Sequence, residues 1–207
     1  MSDPGNISPR SRRERWDERH AARDTIESPE PDPTLIEEIV GLRPGRALDL
    51  GTGDGRNAVW LASRGWRVTA VDFSRVALAR GRALAQASEV DVEWQLADLL
   101  EWEPPAASFD LVTLFFIHLP REERRGVYAR AAVAVGPGGT LLIVGHDRAN
   151  LSDGVGGPQD PAVLFTPGEI AADLAGFTVE RAAAVRRPRH GGRGAIDAVV
   201  RAVRQPG

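Results

Sequence analysis

The stretch Ala47-Leu48-Asp49-Leu50-Gly51-Thr52-Gly53-Asp54-Gly55 constrains this chain more than any other. A strand-like run, Arg46 to Leu50, enters a turn with glycine at alternate positions, and a helix-like run, Asn57 to Ala62, leaves it. Glycine lets the backbone turn sharply and brings its N–H groups close to a ligand without a Cβ in the way. The turn opens a helix, whose N-terminus adds partial positive charge. The spacing therefore predicts a cradle for a nucleotide-like ligand on a strand-turn-helix unit.

Two common occupants of such a cradle fail on spacing. A dinucleotide fingerprint needs G-x-G-x-x-G, and its third glycine would fall at Arg56, whereas the third glycine here is Gly55. A P-loop needs a lysine, and every Lys/Arg position of this chain is arginine. The same absence removes a Schiff-base lysine and with it pyridoxal chemistry. What remains is D-x-G-x-G-x-G, formed by Asp49, Gly51, Gly53 and Gly55.

That motif resembles class I S-adenosylmethionine-dependent methyltransferases, and the similarity extends over roughly residues 30 to 204. Within the class, Gly53-Asp54-Gly55-Arg56-Asn57 is similar to the tellurite-resistance and thiopurine methyltransferase-like group, with Thr52 standing where a cysteine is frequent. The run Trp66 to Val71 reads as a second strand ending in Asp72, 23 residues after Asp49. A carboxylate about 20 residues past a glycine loop suits a ribose diol. A third strand, Val92 to Leu96, ends in Ala97-Asp98-Leu99, and the resemblance gives Asp98 the adenine amino group. It further implies that Asp49, Gly51, Thr52, Gly53, Asn57, Asp72, Phe73, Asp98, Leu99 and Phe115 contact S-adenosylmethionine. Asn57 also fits ordinary polarity at a helix start. The implied activity is methyl transfer to a small-molecule acceptor, with a thiol or chalcogen first; the alternatives are an oxygen or nitrogen of a small metabolite, or a non-catalytic S-adenosylmethionine-binding module.

The remaining pattern supports one α/β domain. Strands at Phe109 to Leu114 and Thr140 to Val144, the latter after Pro137-Gly138-Gly139, alternate with helix-like runs, which predicts a doubly wound, mostly parallel sheet with helices on both faces. Asp32-Pro33 starts a helix with Leu35, Ile36, Ile39 and Val40 as its buried stripe. Ser74 caps another, Pro120 begins a third, and Thr166-Pro167-Gly168-Glu169 reads as a capping box. Phe177 to Glu180 and Ala195 to Val200 read as two strands separated by the Arg- and Gly-rich 186–194. With no helix between them they should be antiparallel, matching the reversed last strand of the family's seven-stranded sheet. The domain is expected over 32–207, with 1–31 as an N-terminal lid or flexible segment.

Composition narrows the classes. A net charge of −3 gives no global basic field for nucleic acid. No apolar run approaches a membrane span or a signal-peptide core, so a cytoplasmic protein is expected. With no cysteine and four scattered histidines, there is no metal signature. A DNA amino-methyltransferase would carry an Asn/Asp-Pro-Pro-aromatic tetrad after strand 4; the chain reads Phe115-Phe116-Ile117-His118 there. His118 and His146, each just past a strand, are the candidate general bases, and Arg187, His190 and Arg193 are a candidate hold for an anionic acceptor. Residues 8 to 24, around Trp16, are the candidate lid. A lid predicts that a chain lacking residues 1 to 24 binds cofactor more weakly and turns over more slowly; unchanged steady-state kinetics in that truncation would remove it.

Overall fold

Strand β1 (Arg46–Leu50) buries every residue after Arg46, and its neighbours alternate sides, so both faces of the sheet are covered. The computed structural model describes residues 29–189 and 192–206, together with Glu14 and Glu18. After α1 (Pro33–Glu38) come β1, α2 (Arg56–Ser63), β2 (Arg67–Asp72), α3 (Arg75–Ala87), β3 (Glu93–Leu96), β4 (Phe109–Phe115), α4 (Arg121–Ala134) and β5 (Val135–His146). Then follow α5 (Asn150–Asp153), a 3₁₀ turn at Pro161–Val163, α6 (Pro167–Ala172), β6 (Phe177–Arg189) and β7 (Gly192–Arg204). The seven strands lie in the order β3-β2-β1-β4-β5-β7-β6, with β7 antiparallel to both of its neighbours and every other pair parallel.

Strand alternation divides the core. Leu48, Leu50, Val112, Leu114, Leu141 and Ile143 face α4, α6 and the fully buried Phe165. Ala47, Leu111, Phe115, Leu142 and Val144 face Leu35, Ile39, Ala58 and Leu61 on the other side. The expected caps are in place: Ser74 Oγ accepts from the Ala77 N–H, and Thr166 and Glu169 form the capping box.

Two expectations need correction. Of the apolar stripe expected on α1, only Leu35 and Ile39 are buried, while Ile36 and Val40 are 42 % and 74 % exposed. The helix ends at Glu38 after fewer than two turns, so only residues four apart share its inner face. Glu38 is itself buried, ion-paired to Arg181, and its carbonyl accepts from Arg201 Nη1 at 2.8 Å. Of the Arg- and Gly-rich 186–194, which was expected to separate the two strands, 186–189 and 192–194 belong to β6 and β7. Strands β6 and β7 pair out to Arg189 and Gly192, with register shifts at Val179/Arg181 and Arg187/Arg189. An edge strand tolerates arginine and proline, so its alternation is carried by Arg and Ala rather than by apolar and polar residues.

Gly55 has φ +76°, and a Cβ there would run into the Trp94 indole, 2.9 Å from Cζ3, and lie 3.3 Å from the Gly81 backbone. The third glycine of the turn is thus a packing position between α2, α3 and β3. Gly55→Ala should lower the urea-unfolding free energy by roughly 1–3 kcal/mol, and adding Trp94→Leu should restore part of it; an unchanged midpoint would contradict this packing.

Candidate functional site

The carboxyl ends of β1 to β5 point the same way, and the sheet order reverses between β1 and β4, which is where open α/β sheets take ligands. Gly51 and Gly53 adopt φ of +67° and +55°, and the Gly51 and Thr52 N–H groups donate to the Val71 carbonyl at 2.8 and 3.0 Å. Asp72, at the end of β2, holds the turn from the side. Its Oδ2 accepts from the Gly53 N–H at 2.9 Å, and its Oδ1 accepts from the Ser74 N–H at 2.9 Å. Each carboxylate oxygen has two lone pairs and can accept more than one hydrogen bond.

Asp49 lies at the floor. Thr52 Oγ1 donates to its Oδ2 at 2.6 Å, and Thr113 Oγ1, reaching across from β4, donates to its Oδ1 at 2.8 Å. Burial pushes the Asp49 carboxyl up from 3.8 to about 6; the two hydroxyl hydrogen bonds pull it down, Asp72 pushes it further up, and Arg56 pulls it down. Thr113 was not foreseen. The signal was a lone hydroxyl residue within the run Leu111 to Phe115, apolar at every other position.

The remaining expected contacts fall into two groups. Thr52, Phe73, Asp98 and Leu99 are half-buried around the same end of the sheet. Asp98 Oδ1 accepts from the Leu100 N–H at 3.0 Å, capping the turn after β3, and Leu99 Cδ1 approaches Gly51. Ile117 Cδ1 sits where a Gly51 side chain would begin, so the segment after β4 borders the glycine turn directly. Asn57 and Phe115, by contrast, are buried. Asn57 Oδ1 accepts from the Asp32 N–H at 2.9 Å, and Asp32 Oδ2 lies 3.5 Å from Arg56 Nη2, so this side chain ties α1 to the start of α2. Phe115 packs into the core on the α1/α2 side.

The two candidate histidines are brought together. His118 and His146 stack with ring centroids 5.3 Å apart and planes 11° apart, and the His146 N–H points at His118 Nε2 over a long 3.4 Å. Phe116, a non-glycine residue at φ +56°, places its ring 5.2 Å from that of His146. Backbone strain of this kind costs roughly 1–3 kcal/mol and concentrates at functional sites. His146 Nδ1 lies 3.0 Å from Asp197 Oδ1, and Arg187 Nε donates to Asp197 Oδ2 at 2.9 Å while its guanidinium covers the Phe116 ring. Arg187 is therefore committed to Asp197. His190, the lid residues around Trp16 and the remainder of 8–24 apart from Glu14 and Glu18 lie outside the described residues, as does the Arg193 side chain. Among the described residues, no group of three His, Asp or Glu side chains is arranged to hold a metal ion, and no helix is long and apolar enough to cross a membrane.

Residues 47–139 match the methyltransferase domain family. The matched segment runs from β1 into the start of β5. A curated relative, an uncharacterized methyltransferase of Mycobacterium bovis, is 35 % identical over 121 residues, spanning 58 % of this chain and 60 % of its own. The 27-O-demethylrifamycin SV methyltransferase of Amycolatopsis mediterranei is 33 % identical over 137 residues, 62 % of this chain and 48 % of that one. The chain thus spans about half to three fifths of the length of these relatives, at 48 % and 60 %. Among solved structures, TehB of Haemophilus influenzae superposes with a TM-score of 0.69 at 18 % identity, covering 93 % of this chain and 67 % of that one, a likeness of fold. The matched segment therefore contains the glycine turn, Asp49, Asp72 and Asp98, while His146, Arg187 and Asp197 lie beyond it.

The raised Asp49 carboxyl has a consequence for stability. Its folded value of about 6 lies above the unfolded 3.8, so the folded protein binds the proton more tightly. The associated stability is present in full below about pH 4 and is lost as pH rises through about 6, on the order of 3 kcal/mol for a shift of this size. Urea midpoints between pH 4 and 7 for the protein and for Asp49→Asn should diverge with that sign, the variant gaining relative to the parent as pH rises; parallel curves would contradict it.

Proposed function

We propose that the protein is an S-adenosylmethionine-dependent methyltransferase acting on a small-molecule acceptor. The observation that carries this reading is the turn at Gly51 and Gly53, with the Asp49 and Asp72 carboxylates disposed around it. The residues fit that cofactor on three counts. At Gly51 a Cβ would collide with Ile117 Cδ1 and touch Leu99, so only a bare backbone lets the turn meet these two side chains. Asp72 places a carboxylate, an acceptor suited to a ribose diol, at the end of β2 beside the glycine turn. Asp49 is a buried carboxylate whose ionised form a nearby cation would stabilise, and the cofactor carries both an ammonium and a sulfonium.

When bound, S-adenosylmethionine supplies a methyl group on sulfonium sulfur, an electrophile that needs no further activation. The chain's own part is then to bind, orient and exclude water. Gly51, Thr52 and Gly53 would hold the amino-acid end, Asp72 and Phe73 the ribose, and Asp98 with Leu99 the adenine. Positioning of this kind is worth up to about 7–11 kcal/mol in well-oriented reactions. The segment after β4, Phe116 to Leu119, and the loop after β5 would line the acceptor side.

The acceptor is the finer question. An oxygen acceptor is favoured by the stacked His118–His146 pair at the strand ends, and the rifamycin enzyme, by its name, is a relative that methylates oxygen. A thiol or chalcogen acceptor rests on the likeness of the Gly53-to-Asn57 loop to the tellurite-resistance and thiopurine group. Calorimetric titration with S-adenosylhomocysteine, with NAD as control ligand and Asp72→Ala as control protein, tests the reading. Saturable binding, absent for NAD and weakened at least tenfold in the variant, is the expected result. Binding of NAD instead, or of neither, would overturn it, and binding without turnover on any acceptor would mark a non-catalytic module.

A further inference from the structure

Resting on the methyltransferase reading, we propose that Asp197 is a positioning residue that makes His146, and not His118, the general base, and that the acceptor is consequently a hydroxyl compound that must lose a proton as it is methylated. The distinction between the two histidines comes from what each ring nitrogen meets. His118 Nε2 faces the His146 backbone N–H, so its lone pair is directed at the sheet. His146 Nδ1 is buried 3.0 Å from Asp197 Oδ1, in ion-pair range though off the line of a well-aligned hydrogen bond. A bare Nδ1 lone pair against a carboxylate is repulsive, so the contact admits the Nδ1–H tautomer and leaves the lone pair on Nε2. Among the described residues no group donates to His146 Nε2.

The arrangement is built into the sheet. Asp197 and His146 are direct cross-strand partners in the antiparallel β5–β7 ladder, and Asp197 is buried. Its carboxylate is balanced by Arg187 from β6, through Nε at 2.9 Å and Nη2 at 3.5 Å. Arg187 in turn lies over Phe116, and the Phe116 ring lies against that of His146. The charged or titratable groups facing His146 are therefore His118 from the β4 side, Arg187 from β6 and Asp197 from β7; Asp147, next in its own strand, is turned to accept from the Ala149 N–H. The Gly157 backbone comes so close that a Cβ there would lie 2.7 Å from Nε2, so the loop after β5 packs against the His146 ring.

The chemistry asked of this nitrogen is one proton transfer. The acceptor's O–H proton passes to His146 Nε2 while an oxygen lone pair forms the bond to the methyl carbon, the C–S bonding pair remaining on sulfur. Asp197 faces the imidazolium that results, as carboxylates oriented on a basic histidine do. A thiol, already partly ionised near neutral pH, has much less need of this base.

The test reads the tautomer before it reads activity. Long-range ¹H–¹⁵N correlation of the histidine side chains in the full-length protein, at a pH where the rings are neutral, should show His146 protonated on Nδ1. In Asp197→Asn a population protonated on Nε2 should appear for His146 and not for His118. His146 protonated on Nε2 in the unaltered protein, or an unchanged tautomer in folded Asp197→Asn, would overturn the proposal; should that variant fail to fold, the unaltered protein's tautomer alone decides. S-adenosylhomocysteine affinity should stay within about twofold in His146→Asn, which separates this proposal from the cofactor reading: lost binding in the parent sinks the latter and leaves the tautomer result standing. With S-adenosylmethionine and paired phenol and thiophenol probes, His146→Asn should lose roughly 10²–10⁴-fold in kcat on the phenol, at little change in KM, and far less on the thiophenol. Equal losses on both, or turnover of the thiophenol alone by the parent, would overturn the acceptor assignment.

Discussion

Two buried carboxylates hold the turn on which the rest of the site depends. Asp49 ties the end of β1 to β4 through Thr113 and to its own turn through Thr52. Asp72 ties the end of β2 to the same turn through Gly53 and to the start of α3 through Ser74. Unpaired, such groups would be costly to bury; hydroxyl and backbone donors offset that cost. Four elements thereby converge on residues 51–53. The positive φ angles of the glycines are only the local condition, and the side-chain bonds are what make the turn a fixed surface rather than a floppy one. Burial outweighs the hydroxyl donors at Asp49, whose carboxyl is pushed up to about 6.

How much of this was legible follows from the range of each interaction. The glycine turn, the acids at the ends of β2 and β3, the caps at Ser74 and Thr166 and the antiparallel final pair depend on spacings of a few to about twenty residues, and pattern reading reaches that far. Asn57 shows the limit of a local reading. The resemblance gave it a cofactor contact and its place at the start of α2 gave ordinary polarity, and neither reading reached the Asp32 N–H, 25 residues upstream, that its Oδ1 accepts from. The exposed Ile36 and Val40 show another, since the expected stripe assumed a helix longer than Pro33–Glu38.

The histidine pair shows the third limit. His118 and His146 each stood out as a polar residue just past an apolar strand, yet nothing local said that they would stack. Their meeting is fixed by the β4–β5 alignment, in which Phe115 lies opposite Val144, and the opposition of His146 to Asp197 by the β5–β7 register, 51 residues away in sequence. The final strand pair that carries Asp197 was legible but its length was not, because 186–189 and 192–194 have the composition of a loop while lying in β6 and β7.

The arginine-only chemistry of this chain acquires a physical sense in that hairpin. Guanidinium groups present several donors in a rigid plane and stack on aromatic rings, which a single ammonium does not do. Arg181 engages buried Glu38, Arg201 the Glu38 carbonyl, Arg204 the Val133 and Val135 carbonyls, and Arg187 both Asp197 and the Phe116 ring. These contacts pin β6 and β7 to α1, to the end of α4 and to the segment after β4. A side chain carried on such strands is held more tightly than one on a loop, and reactive geometry tolerates little looseness. The methyltransferase domain match ends at residue 139, before any of these arginines. The glycine turn is thus set by short-range pattern, whereas the chemistry on the acceptor side is set by the register of a hairpin that the matched segment does not contain.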